Sequence, residues 1–121
     1  MLRAALILTL ISSPAMAFQA RNTVSVSGTA DQITVAASAG QGPAQSWCAA
    51  GDFAIRALGL PNATLIYRVT PPPRRSGETV VFSTQAGGAS EKTGLIVFGD
   101  QADAISAGFA QSLCIVGRWA H

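Results

Sequence analysis

Histidine occurs once in these 121 residues, as the terminal His121, and cysteine twice, at Cys48 and Cys114. That scarcity argues against a metal centre, which gathers three or four His, Cys or carboxylate ligands in one place. It also leaves no imidazole inside the chain to act as a general base. Charge is sparse as well: eight basic residues stand against six acidic ones, a formal net charge of +2. Such a balance gives no electrostatic footprint for nucleic acid. There is no internal repeat, and the only low-complexity tract is PPPRRSG at 71–77.

What is present begins with an address. The opening MLRAALILTLISSPAMA carries Arg3, an apolar stretch from Ala4 to Ile11, a Ser-Ser-Pro break and small residues at Ala15 and Ala17. That order is the secretory pattern, and the apolar stretch is shorter than the roughly 20 residues that span a bilayer. Residues 1–17 are therefore expected to be a signal peptide cleaved after Ala17, and residues 18–121 a single exported domain, periplasmic or secreted, without stable membrane insertion. In that compartment disulfides persist, so Cys48 and Cys114 are expected to pair. Closing so long a loop is worth about 4 kcal/mol in the chain-entropy model, a large share of a small domain's net stability.

Periodicity supplies the fold class. NTVSVSG and QITVAA alternate, with Val24 and Val26, then Ile33, Val35 and Ala37, on one face, and the turn residues between them make a hairpin. From Pro43 the period becomes helical, through Ala44, Trp47, Cys48, Gly51, Ile55 and Leu58, and Gly59 with Pro61 supplies a stop. Gly51 in mid-helix costs about 1 kcal/mol against alanine, which points to another element approaching closely there. Asp52 and Arg56 are spaced as a surface ion pair. Three strand-like runs follow, ATLIYRVT, ETVVFST and the apolar LIVF at 95–98. A last helix is expected from an Asp100 cap, with Ala102, Ile105, Phe109, Leu113 and Val116 as its stripe and Gly117 as its stop. The order ββαβββα predicts an α+β domain: a five-stranded antiparallel sheet with two helices packed on one face and one disulfide.

Several short motifs invite chemistry and do not sustain it. GQG ahead of Trp47 and Cys48 resembles the papain-like cysteine proteases, but there the tryptophan follows the cysteine, and the base is a histidine this chain lacks except at its end. A small hydrolase using Cys48, with His121 or Asp52 as base, is the alternative to the crosslink. KTG at Lys92–Gly94 resembles the third motif of penicillin-binding proteins and serine β-lactamases without its companion motifs. GGASEKT is similar to a phosphate-binding P-loop, but Glu91 occupies the glycine position and a strand is expected to follow. Asn62–Thr64 forms a glycosylation sequon, meaningful only in a eukaryotic secretory pathway. No catalytic residue, metal or cofactor is expected.

Two surfaces remain. Arg74 and Arg75 lie on a proline-stiffened loop that loses little entropy on contact, next to a strand bearing Arg68. If Tyr67, Val80 and Phe82 face the helices, then Ile66, Arg68 and Val81 face outward on an incompletely polar sheet surface. The expectation is a non-catalytic binding module whose contact residues are Ile66, Arg68, Arg74, Arg75 and Val81. Its partner would be an unknown protein, a small acidic ligand, or a second copy of the chain.

Overall fold

The computed structural model describes residues 18–38, 41–72, 74–90 and 104–119. Within them the chain runs through β1 (Phe18–Gln19), β2 (Ser25–Thr29), β3 (Gln32–Val35), α1 (Pro43–Asp52) and a π-helical extension (Phe53–Ala57). It continues through β4 (Leu65–Arg68), β5 (Val80–Ser83), β6 (Ala104–Ser106) and α2 (Ala107–Trp119). The α+β class, the two helices on one face and the Cys48–Cys114 bond are as expected, but the antiparallel sheet has six strands, not five, in the order β1-β2-β3-β5-β4-β6. The leader, the LIVF run, the KTG motif, Asp100, Asp103 and His121 lie outside the described residues.

The β2–β3 hairpin forms where alternation places it, turning through Ala30 and Asp31, with Val26 opposite Val35 and Gly28 opposite Ile33. Gly28 has φ +116°, and a Cβ there would run into the Gln32 carbonyl, so only glycine fits that pair. Two strands escaped the sequence reading because they are too short to alternate. β1 pairs Phe18 with Val26 at one edge, and β6 pairs Ile105 with Ile66 at the other. Ile105 was expected in a helical stripe; pairing with β4 overrides that local period.

α1 starts at Pro43, whose missing N–H loses nothing in the first turn, and Gln45 Oε1 accepts the Gly42 N–H at 2.9 Å. After Asp52 the helix widens: the Leu58 N–H reaches back to the Phe53 carbonyl at 3.0 Å, five residues away, and Gly59, at φ +71°, ends it. Gly51 is the close approach that its position implied. A Cβ at residue 51 would sit 2.6 Å from the Gln111 backbone nitrogen and 2.7 Å from the Ala110 Cβ, so α2 passes where no side chain can stand.

α2 begins at Ala107, later than an Asp100 cap implies, because its first N–H groups find partners there. Ala107 N–H donates to the Thr64 carbonyl at 2.7 Å, Gly108 N–H to the Asn62 carbonyl at 2.9 Å, and Phe109 N–H to Ser106 Oγ at 3.1 Å. Three of the orphan donors of the helix start are thereby satisfied, with Ser106 as the capping side chain. The close crossing with α1 at Gly51 selects the inward face: Ala107, Ala110 and Cys114 are buried, whereas Phe109, expected in the core, is 50% exposed. The helix also runs through Gly117 to Trp119.

Between sheet and helices lies one apolar core, with Val26, Ile33, Val35, Ile66, Val80 and Phe82 facing Trp47, Ala50 and Ala54. Trp47 packs edge-on against Phe82, ring centroids 4.6 Å apart. β4 is read the wrong way round by the sequence. Arg68 lies opposite Phe82 and Ile66 opposite Ile105, so Ile66 and Arg68 face the helices and Tyr67 faces out. Both inward residues are essentially fully buried. One buried arginine is enough to invert the strand, because the side-chain period is two.

Candidate functional site

Cys48 and Cys114 sit on facing helices with Cα atoms 4.8 Å apart and their sulfurs bonded. Both are buried, so the most reactive-looking position of the chain has no thiolate to offer while the bond stands. Asp52, weighed as a base for that thiol, is engaged elsewhere and is not at the surface. Its carboxylate is fully buried and accepts from Arg56 Nη1 at 2.7 Å, the Arg21 backbone N–H at 3.0 Å and Gln111 Nε2 at 3.0 Å. Arg21 Nε adds an ion pair at 3.5 Å. The expected Asp52–Arg56 pair does form, but with its carboxylate buried and its guanidinium half exposed, as part of a knot joining the β1–β2 connection, α1 and α2.

The five expected contact residues do not share a surface. Ile66 and Arg68 belong to the interior. Arg68 donates from Nε to the Thr70 carbonyl at 2.7 Å. Burial holds its guanidinium below the ordinary arginine value; the Glu78 carboxylate pulls the other way, and the Arg74 charge adds to the lowering. Arg74 turns back onto the chain instead of outward. Its Nη1 donates to the carbonyls of Arg75 and Glu78, and its Nη2 to those of Ser38 and Gln41, at 3.2–3.4 Å. It therefore clasps the β4–β5 connection to the segment leading into α1. Arg75 remains exposed, its backbone N–H held by Glu78 Oε1 at 2.9 Å. The structure thus brings Arg68, Arg74 and Glu78 together and leaves Val81 on the opposite side of the sheet.

Among the described residues neither helix lies on that opposite side, although Ser83 there is buried. Ser27, Thr34 and Val81 stand side by side across β2, β3 and β5, Tyr67 lies opposite Ser83, and Leu65 lies opposite Ser106. Leu65 is 49% exposed, and Tyr67 and Val81 are half-buried. The face alternates hydroxyls with a few apolar side chains and turns away from both helices. Leu65 and Tyr67 were missed as surface residues, whereas alternation had already set Ser27 and Thr34 on the outer face. Allowing Arg68 a buried place would have found Leu65 and Tyr67, since alternation then sends both outward.

Among the described residues no group of three His, Cys, Asp or Glu side chains is placed to hold a metal, and no helix is long and apolar enough to cross a membrane. Compared with protein-family models, curated proteins and solved structures, the chain matches none.

Proposed function

We propose that this chain is a small exported binding module that meets a protein partner on the open face of its sheet. The observation that carries the proposal is the exposure of Leu65, two residues along β4 from half-buried Tyr67 and on the same side of the sheet as half-buried Val81, a side that neither helix covers. The mixture of apolar and hydroxyl groups on a pleated surface suits a protein interface, which on average is about as apolar as ordinary protein surface. A small ligand would need a concave, largely apolar enclosure, which a sheet face does not offer. Exposed Arg75, on the β4–β5 connection, is a candidate rim charge that would speed encounter with an acidic partner more than it would tighten the complex. The disulfide supports a scaffold built for an oxidising compartment and takes the Cys48 nucleophile out of the hydrolase alternative.

Photo-crosslinking side chains placed singly at Leu65, Tyr67 and Val81, with Ser112 on α2 as control, test this in the native compartment. One adduct of defined mass from the sheet positions, lost on Val81→Lys and absent from the control, is expected. An adduct of twice the chain's mass identifies a second copy as the partner. Equal, diffuse labelling from all four positions would remove the sheet face from consideration.

A further inference from the structure

The first two residues after the expected cleavage point are not a loose tail. Phe18 pairs with Val26 and Gln19 with Ser25, making β1 an edge strand of the sheet. The Phe18 ring packs edge-on against Phe53, centroids 5.6 Å apart, and the Arg56 guanidinium lies over the Phe18 ring at 5.2 Å. The next residues are held as firmly. Ala20 is buried and exchanges hydrogen bonds with Thr23 and Val24, Gln19 Nε2 donates to the Thr23 carbonyl, and the Arg21 backbone N–H donates to buried Asp52. Every residue from 18 to 21 is thus tied to the sheet, to its own turn or to the helices.

We infer that removal of the leader at the Ala17–Phe18 bond is gated by folding: the bond is cut before β1 docks, and the folded precursor is a poor substrate. The inference rests on the export reading of residues 1–17. A signal peptidase hydrolyses that bond by adding water, leaving a carboxylate on Ala17 and an ammonium on Phe18. To reach it, the enzyme must hold the flanking residues in its own cleft, and a residue already hydrogen-bonded into a sheet is presented only when the strand opens. The cost of opening β1 includes the Phe18–Phe53–Arg56 stack as well as the pairing with β2. Because β1 sits at the sheet edge, opening it does not require global unfolding, so cleavage of the folded form is slowed, not abolished.

The test uses full-length precursor in detergent micelles with a bacterial signal peptidase, the product identified by N-terminal sequencing. Precursor folded with its disulfide closed is compared with the same precursor diluted freshly from urea. The folded form should be cut at least about tenfold more slowly, in proportion to the population with β1 open, and both should yield a chain beginning at Phe18. Phe53→Ala and, separately, Arg56→Ala should return the folded form toward the faster rate while disulfide closure, scored by thiol alkylation, stays complete. Equal rates for folded and freshly diluted wild type overturn the gating and leave the export reading standing. Absence of any product beginning at Phe18 overturns both.

Discussion

The molecule buries one charge at the junction of its helices and another at the corner where β4 ends, and the two are held differently. Asp52 accepts from three separate parts of the chain: the β1–β2 connection, α2, and the π-helical extension of its own helix. Arg68 draws on the connection that follows it, through the Thr70 carbonyl and the Glu78 carboxylate, with the like charge of Arg74 set against it. Asp52 is a crosslink among distant segments, whereas Arg68 Nε reaches only two residues on, to the Thr70 carbonyl. A buried charge whose donors come from far apart loses several of its bonds at once when it is removed. Arg68, whose aliphatic stem lies within the apolar core opposite Phe82, keeps that packing when methionine replaces it.

The comparison can be broken in four places. The largest effect is expected from removing the covalent tie at the helix junction: Cys48→Ser with Cys114→Ser should cost about 4 kcal/mol on the loop-entropy model, read from urea denaturation. Asp52→Ala should cost about 3 kcal/mol, since the Arg21 backbone N–H and the Gln111 amide lose their part-buried acceptor while the half-exposed guanidinium groups of Arg21 and Arg56 turn to water, and Asp52→Asn should cost less. If calorimetry finds Asp52→Ala neutral, the knot is incidental. Gly51→Ala should destabilise by about 2 kcal/mol, because the new Cβ meets the α2 backbone, despite a helix-propensity gain of about 1 kcal/mol; a raised melting temperature would contradict the tight helix crossing. The smallest effect belongs to the corner. Arg68→Met should stay within about 1 kcal/mol of wild type, and Arg68→Ala should cost roughly 2 kcal/mol through the cavity it leaves. A cost for Arg68→Met as large as that of Asp52→Ala would erase the distinction.

The two regions also differ in how far they could be read in advance. At the helix junction the outline was legible: the apolar stripe through Trp47 and Cys48, the unexplained Gly51 and the pairing of two cysteines all pointed to a second helix crossing there. Asp52 was legible only as half of an i,i+4 pair, because nothing local announces that Arg21 and Gln111 will arrive to bury it. At the corner, Arg68 misled, since arginine is seldom fully buried and the alternation of ATLIYRVT fits either face. The candidate contact surface inherited that error, losing Ile66 and Arg68 and gaining Leu65 and Tyr67. Arg74 looked like a free charge on a stiff loop, but carbonyls from a segment more than thirty residues away turn it inward.

By itself the sequence determined what depends on neighbours along the chain: the β2–β3 hairpin, the start and stop of α1, the α+β class and the choice of sulfur partners. Those follow from side-chain period, turn chemistry and cysteine count, all of which act over a few residues or admit one solution. Only the tertiary structure decided which way β4 faces, that Ala104–Ser106 is a strand, that Phe18 is anchored, and that Asp52 is buried. Each of those depends on a partner supplied from far along the chain, and the free energy that selects it exists only once the partner is in place.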